Sequence, residues 1–202
     1  MPEQSSDYRI SIFGAGGVGK SSIVRRFVDG TFSETYVPTI EDTYTMTVGC
    51  SQHKICALQI VDNTGSHQFP AMQRLSMSTG DAFVLVYSVT NGQSLIELKH
   101  FVDMIREVKH DDDKNYCEPP MILVGNKIDA PDYEKEVTTE MGCSSAKQWS
   151  IEAFIETSAK ENLNIRELFE SLLVLEKRRT LTLSPQEELS NSDHSRNKCL
   201  VL

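Results

Sequence analysis

The sequence has no apolar run close to the roughly 20 residues that a membrane-spanning helix needs. Residues 1–7 are polar and lack the apolar core of a secretory signal, so we expect a short flexible N-terminus there. The cysteines form no CxxC pair and have no metal-ligand spacing, and such an odd, scattered set is typical of a reducing compartment. Contact with a membrane would therefore need a lipid or a surface patch. The five cysteines are Cys50, Cys56, Cys117, Cys143 and Cys199.

Basic residues are outnumbered in this chain. Lysine and arginine total 20 against 29 aspartates and glutamates, for a formal net charge of −9. Binding nucleic-acid phosphates needs a clustered basic face, so this balance argues against a general nucleic-acid-binding protein. The apolar fraction of 39% and the charged fraction of 24% are those of an ordinary folded protein. A chain of 202 residues is long enough for one well-buried domain and a tail.

Strand-like and helical patterns alternate along the chain, with one hairpin inserted. This order predicts an α/β fold, with a mainly parallel six-stranded sheet and helices on both faces. We expect a domain over residues 8–180 and a flexible tail over 181–202, which is rich in polar residues. Ligands in such folds bind at the carboxyl ends of the strands. The predicted strands are Arg9–Phe13, Thr43–Val48, Lys54–Val61, Ala82–Val89, Met121–Val124 and Ala153–Glu156. The predicted helices are one that follows Lys20 and is stopped by Gly30, and Ser94–Val108, Thr138–Trp149 and Asn164–Lys177.

The segment Gly14–Ser21 fits the phosphate-binding pattern GxxxxGK[ST] and lies between a predicted strand and a predicted helix, as that motif requires. Its glycines let backbone N–H groups surround phosphate oxygens, and the helix adds its positive N-terminal end. Lys20 would contact the β- and γ-phosphates, and the Ser21 hydroxyl could ligate Mg²⁺. The flanking elements argue against the alternative, a glycine-rich turn without a ligand. The residues expected around the phosphates are Gly14, Ala15, Gly16, Gly17, Val18, Gly19, Lys20, Ser21 and Ser22.

The segment Asn126–Asp129 reads NKID and resembles the NKxD guanine-specificity motif of GTPases. The Asp129 carboxylate could accept hydrogen bonds from the ring N–H and the exocyclic amine of guanine, whereas adenine offers neither donor at that edge. Unpaired buried polar groups can give discrimination of ~10⁴ or more. Asn126 would bond the purine N7 and tie the loops together, and the stem of Lys127 would pack over the base. The motif therefore indicates a guanine nucleotide.

The segment Ser158–Lys160 matches the SAK element that accompanies NKxD in GTPases. By that resemblance, the Ala159 N–H would donate to the guanine carbonyl and Ser158 would orient Asp129. NKxD alone is short, and asparagine and aspartate are ordinary turn residues. The order of P-loop, NKxD and SAK together favours guanine-nucleotide binding.

Phe32, Tyr36–Asp42 and Tyr44 match the first switch and effector stretch of the Ras family nearly residue for residue, and Asp62–Gly65 matches its DxxG second switch. Over residues 8–179 and the last four, the chain resembles a Ras-like small GTPase. The runs 66–74 and 175–179 look like the Di-Ras branch in particular. The resemblance implies a monomeric P-loop NTPase G domain that binds GTP or GDP with Mg²⁺, effector proteins and exchange factors, with GTPase-activating proteins as further candidates.

The resemblance also implies roles for single residues. Thr39 would ligate Mg²⁺ and touch the γ-phosphate, Gly65 would reach that phosphate from the other side, and Asp62 would hold Mg²⁺ through water. Phe32 would stack edgewise on guanine. Loss of the γ-phosphate would release both loops, which is the switch. The expected effector residues, whose acidic edge suits strand addition, are Tyr36, Val37, Pro38, Thr39, Ile40, Glu41, Asp42, Thr43 and Tyr44.

Two positions depart from the family pattern. The family has a glutamine directly after the DxxG glycine to orient the attacking water, and this chain has Ser66, which is too short for that role. The usual alanine before the glycine is Thr64. We therefore expect slow GTP hydrolysis and a weak response to activators that depend on the glutamine, although His67 or Gln68 could partly substitute. The expected catalytic set is Lys20, Thr39, Gly65 and Ser66.

The chain ends in Cys199-Leu-Val-Leu202, a CaaX box whose terminal leucine favours geranylgeranylation. This predicts a lipid anchor on the cytoplasmic face of the plasma membrane. One prenyl chain usually needs a second signal, and few basic residues and no further cysteine lie near Cys199. We therefore expect dynamic membrane residence.

Two other functions compete with a cycling GTPase. A nucleotide or small-molecule kinase would also use a P-loop, but we find no arginine-rich lid inserted between the strands. A constitutively GTP-loaded interaction module with negligible hydrolysis is favoured by Ser66 and Thr64. The intact P-loop, Thr39 and Gly65 favour a cycling enzyme, and the sequence leaves that choice open.

Overall fold

The structure, a computed structural model, describes residues 7–35, 37–39, 41–50, 54–65, 70–112, 117–176, 180–183 and 199–200. These residues form one sheet with helices on both faces. The strands are β1 (Tyr8–Phe13), β2 (Glu41–Cys50), β3 (Lys54–Asn63), β4 (Ala82–Ser88), β5 (Met121–Asn126), β6 (Ala153–Thr157), β7 (Leu181–Thr182) and β8 (Cys199–Leu200). The helices are α1 (Lys20–Asp29), α2 (Pro70–Thr79), α3 (Gly92–Asp112), α4 (Thr139–Gln148) and α5 (Ile165–Val174).

The sheet runs in the order β7-β2-β3-β1-β4-β5-β6-β8. Strand β1 is parallel to both β3 and β4, and β4, β5 and β6 are also parallel neighbours. Strand β2 is antiparallel to β3, which confirms the inserted hairpin. The mainly parallel α/β fold is therefore confirmed. The loops after β1, β5 and β6 all lie at the carboxyl ends of these parallel strands.

Alternation along the central strands divides the core between the two faces of the sheet. In β4, Val84 and Val86 belong to the apolar cluster that includes α1 and α5, whereas Phe83 and Leu85 belong to the cluster under α3. Every residue of β4 and β5 is buried, as expected for strands covered on both faces. None of the helices in the described part of the chain combines the length and apolar character that crossing a bilayer requires.

Helix α2 is absent from the sequence predictions. Its buried residues are Gln73, Ser76 and Met77, so its inner face is mostly polar. A helix with such a face gives no apolar periodicity. It is held in part by polar contacts, since the Ser11 hydroxyl in β1 donates to the carbonyl of Ser76 over 3.0 Å.

The sheet has eight strands where six were predicted, because β7 and β8 extend its two edges. Strand β7 pairs with Gly49 and Cys50 at the end of β2, and its Leu181 is buried against the core. Strand β8 pairs with Ala153 and Phe154 of β6. Both are only two residues long, which is too short for a sequence pattern. They lie within residues 181–202, and the division into domain and tail stays a prediction.

Candidate functional site

The phosphate-binding loop connects β1 directly to α1, as predicted. Gly19 precedes the first residue of α1 with φ 100°, a left-handed conformation that favours glycine. A Cβ atom there would lie 2.3 Å from the side-chain nitrogen of Asn126, so no other residue fits without displacing that amide. The close approach brings the phosphate loop against the end of β5, where the predicted guanine motif begins.

Lys20 is the only lysine of the loop, and its side chain is folded back over it. The ammonium group donates to the carbonyls of Gly14 and Ala15, both at 2.9 Å, and the residue is 6% exposed. Burial lowers the pKa of Lys20 to about 8, an effect that the nearby charge of Asp62 opposes. An anionic phosphate placed in the loop would favour the charged amine in the same way as Asp62.

The three expected magnesium ligands lie together. The hydroxyls of Ser21 and Thr39 are 2.9 Å apart, and Ser21 also lies close enough to Asp62 to oppose the rise in that carboxyl's pKa. That rise is caused mainly by burial, and neither carboxylate oxygen of Asp62 has a hydrogen-bond partner in the described residues. Carboxylate oxygens and hydroxyls are the hard oxygen donors that Mg²⁺ prefers, and the Ser21 hydroxyl lies next to both the Asp62 carboxylate and the Thr39 hydroxyl.

The donor set therefore fits Mg²⁺. Among the described residues no group of three or more histidine, cysteine, aspartate and glutamate side chains could hold a metal. A magnesium site here depends on the hydroxyls and leaves positions for phosphate oxygens and water, which is how Mg²⁺ is usually bound beside nucleotides.

Asn126 connects the three segments that are predicted to bind the nucleotide. Its amide nitrogen donates to the carbonyl of Val18 in the phosphate loop over 2.9 Å. Its amide oxygen accepts from the Thr157 hydroxyl at 3.2 Å and from the Ala159 N–H at 3.3 Å. The side chain is almost fully buried, so these bonds are well protected from solvent. The Ala159 N–H, expected to face guanine, thus donates to Asn126 here.

Asp129 is oriented by Ser158, as expected from the SAK element. The Ser158 hydroxyl donates to the Asp129 carboxylate over 2.5 Å and accepts from the N–H of Glu161 over 3.0 Å. Lys127, between Asn126 and Asp129, has φ 70°, so the chain turns sharply after β5. Asp129 follows two residues later and is exposed.

The second predicted switch segment contacts the phosphate loop, and the helix that follows it contacts the first predicted switch segment. A Cβ atom on Gly65 would lie 2.5 Å from the backbone of Gly16, so the DxxG segment packs directly on the loop. The hydroxyl of Ser76 in α2 donates to the Glu41 carboxylate at the start of β2 over 3.2 Å. Thr64, the residue that departs from the family pattern, is 5% exposed.

A cavity of about 670 Å³ unites these segments. It is bounded by the phosphate loop, by Phe32, Thr39 and Gly65, and by the loops after β5 and β6, which are predicted to bind the base. Of the predicted nucleotide-binding residues, five lie behind its wall: Gly14, Ala15, Val18, Asp62 and Ser158. The remaining predicted residues line it: Gly16, Gly17, Gly19, Lys20, Ser21, Ser22, Phe32, Thr39, Gly65, Asn126, Lys127, Asp129, Ala159 and Lys160.

Sequence reasoning missed several residues at this site. Thr90, Pro131 and Glu134 line the cavity, and Arg26 contacts the base-side loop from behind. None belongs to a motif, so only proximity in the fold identifies them.

Some predicted residues lie outside the described residues: Tyr36, Ile40, Ser66, His67 and Gln68. Cys199 is described only as backbone in β8.

The predicted effector stretch continues into β2. Glu41 and Asp42 are exposed, and Val37 is 59% exposed. In the described residues β7 pairs with β2 only at Gly49 and Cys50, so the outer edge of β2 is open over Glu41–Val48. An open edge beside exposed acidic residues is a surface to which another strand could add.

Known proteins resemble this chain over its whole length. The model of the Ras family matches residues 9–177. "GTP-binding protein Di-Ras2" of Mus musculus is 52% identical over 206 residues, covering 100% of both chains. "GTP-binding protein Di-Ras1" of Homo sapiens is 50% identical over 206 residues with the same coverage. "GTP-binding protein drn-1" of Caenorhabditis elegans is 57% identical over 180 residues, which are 89% of this chain and 80% of that protein.

Proposed function

This chain belongs to the Ras family of GTP-binding proteins, and from that membership we propose that it is a membrane-tethered GDP/GTP switch that hydrolyses GTP slowly. One observation supports the guanine-nucleotide switch above all others: Lys20 and Asp129 line the same cavity of about 670 Å³. The lysine suits a polyphosphate, and the carboxylate suits the donor edge of guanine.

In this proposal each group has a physical task. The phosphate-loop amides and Lys20 would hold the β- and γ-phosphates, while Ser158 keeps the Asp129 carboxylate directed at the base. Mg²⁺ held by Ser21, Thr39 and Asp62 would neutralise phosphate charge. The Gly65 N–H would contact the γ-phosphate. Loss of that phosphate would therefore free the segment that packs on Gly16.

Slow hydrolysis is proposed from Ser66. A serine hydroxyl is too short to contact the attacking water and the γ-phosphate together, as a glutamine amide can. Thr64 adds a buried β-branched residue next to Gly65. We therefore expect the attacking water to be poorly oriented.

Single-turnover hydrolysis by Ser66→Gln and by the parent protein tests this. We expect the variant to be faster by about tenfold or more, less than the roughly 10²–10⁴-fold of a positioned proton-transfer group, because the glutamine only orients the water. Ser144→Gln on the exposed side of α4 is the matched control and should leave the rate unchanged. A parent rate equal to or above that of Ser66→Gln contradicts the proposal.

The alternative is an interaction module that stays loaded with GTP. The same Ser66 supports it, together with the open, acidic edge of β2, which suits an effector that adds a strand. The ratio of bound GTP to GDP in the purified protein, followed over time with Mg²⁺, separates the two. A falling ratio supports the cycling enzyme, and a constant ratio supports the module.

The membrane tether is proposed from the CaaX box that begins at Cys199. A single geranylgeranyl chain gives reversible attachment, and the weak basic character near it predicts dynamic residence at the cytoplasmic face of the plasma membrane. Cys199→Ser should move the protein from the membrane fraction of cells to the soluble fraction. Cys117→Ser, at an exposed cysteine, is the control and should not. A Cys199→Ser protein that stays with the membrane contradicts the prenyl anchor.

A further inference from the structure

Arg26, in the last turn of α1, connects three backbone carbonyls. Its Nε donates to the Ala159 carbonyl over 2.8 Å and one terminal nitrogen donates to the Lys160 carbonyl over 2.9 Å. The other terminal nitrogen donates to the carbonyl of Gly30, which ends α1, over 2.8 Å. A guanidinium is the side chain that can bind three acceptors at once in a fixed plane.

The same guanidinium packs against the aromatic residue of the base site. The Arg26 Cζ lies 5.6 Å from the centroid of the Phe32 ring, within the range of a cation–π contact. Phe32 lines the cavity, whereas Arg26 itself does not. Arg26 is therefore placed to act on the base through Phe32 and the loop, without touching it.

The loop that Arg26 holds is also fixed from its other side. The Ala159 N–H donates to the side-chain oxygen of Asn126. The 159–160 turn is therefore held by Arg26 through its carbonyls and by Asn126 through its N–H. In front, the Lys160 ammonium pairs with the Glu34 carboxylate at 3.1 Å and connects the turn to the segment after Phe32. Both of those side chains are half exposed or more, so this outer pair contributes little by itself.

We propose that Arg26 is a positioning residue that sets how long the nucleotide stays bound, by holding Phe32 and the Ala159–Lys160 turn together around the purine. The inference rests on the proposed guanine-nucleotide site. Two independent groups of residues then retain the nucleotide. Lys20 and the magnesium ligands act on its phosphates, and Arg26 acts on its base.

The test is the dissociation rate of fluorescently labelled GDP, displaced by excess unlabelled GDP. Arg26→Met keeps the helix propensity and about the length of the apolar stem of the side chain but removes every donor. We expect it to release GDP about tenfold faster or more, because hydrogen bonds from charged donors are lost on both carbonyls. Arg26→Lys keeps the charge and a donor but cannot span the fork, so its rate should lie between the two.

Arg106→Met is the matched control. Arg106 also donates to a carbonyl of a distant segment, that of Trp149 over 2.7 Å, and pairs with Glu118, but far from the cavity. It should lower the melting temperature without changing the GDP dissociation rate. A comparable loss of stability in both variants, with faster release only for Arg26→Met, separates positioning from general destabilisation.

Chelation with EDTA separates the two halves of the site. We expect EDTA to accelerate release by the same factor in the parent and in Arg26→Met, because the variant leaves the phosphate side intact. A release rate of Arg26→Met within twofold of the parent overturns the inference, and so does a collapse of the EDTA factor. If the parent protein itself retains no guanine nucleotide, the proposed function fails. If the parent retains GDP and both Arg26 variants release it at the parent rate, the inference fails and the proposed function stands.

Discussion

The hydroxyl of Ser158 donates a hydrogen bond of 2.5 Å to the carboxylate of Asp129, although 29 residues separate them in the chain. The bond holds one oxygen of the carboxylate and leaves the other available at the cavity. A fixed carboxylate loses little conformational entropy on binding, and this favours tight recognition of a base with two adjacent donors.

Asp129→Ala should abolish selection of guanine. We expect the affinity for GDP to fall at least about a hundredfold, because two hydrogen bonds to a charged acceptor are lost. The measurement is competition of GDP and ADP against a labelled nucleotide. Asp132→Ala is the control, since Asp132 is exposed and pairs with Lys135 in the same turn. Unchanged preference for GDP in Asp129→Ala would show that another group reads the base.

Gly65→Ala should separate nucleotide binding from hydrolysis. Its Cβ would lie 2.5 Å from backbone atoms of Gly16, which can move only with the whole loop. We expect GTP hydrolysis to fall about a hundredfold, as on removing one preorganised backbone donor, with little change in GDP affinity. Gly92→Ala is the control, since its Cβ would come no closer than 3.4 Å to a neighbour, the side chain of Glu136. Unchanged hydrolysis in Gly65→Ala would remove Gly65 from the catalytic set.

Glu156→Gln should stabilise the protein at neutral pH. Burial raises the pKa of the half-buried Glu156 above 4.5, so folding disfavours its ionised form. Below pH 4.5 the carboxyl group is largely protonated, and its burial costs little. As the pH rises from there through the raised pKa, the buried group must ionise and the free energy of unfolding falls. Glutamine keeps an acceptor for the Thr139 hydroxyl without the charge.

We expect a gain of less than about 1 kcal/mol at pH 7 that disappears near pH 4, measured by thermal unfolding at both values. Glu140→Gln is the control with the opposite sign. Hydrogen bonds from its own backbone and from Thr138 lower the pKa of Glu140, so its ionised form is favoured in the folded state. A gain for Glu156→Gln that persists at pH 4 would show that its cause is packing.

Tyr87→Phe should leave the free energy of unfolding unchanged or raise it by about 1 kcal/mol. The Tyr87 hydroxyl is buried and has no hydrogen-bond partner among the described residues, and burial raises its pKa. Removing an unsatisfied polar group removes its desolvation cost. The measurement is denaturant unfolding, with Tyr133→Phe as an exposed control that should have no effect. A loss above about 1 kcal/mol would reveal a partner for the hydroxyl.

Much of the fold was predictable because its signals are local. The strand before Gly14 and the helix from Lys20 follow from neighbouring residues, and the buried runs of β4 and β5 show their type by composition alone. Helix α2 was missed because tertiary contacts, such as that of Ser11 with the Ser76 carbonyl, replace an apolar face. The pairing of β7 with β2 was missed because two residues carry no periodicity.

The sequence by itself determined which chemistry this protein can carry: a phosphate loop, hard oxygen donors for a metal and a carboxylate for the base, each recognisable from adjacent residues. The tertiary structure alone decided how these parts are held. Asn126 joins three segments. Arg26 reaches a loop 133 residues away, because α1 packs on the same face of the sheet as α5, the helix after that loop. Contacts of that kind depend on the packing of distant elements, so no local pattern records them.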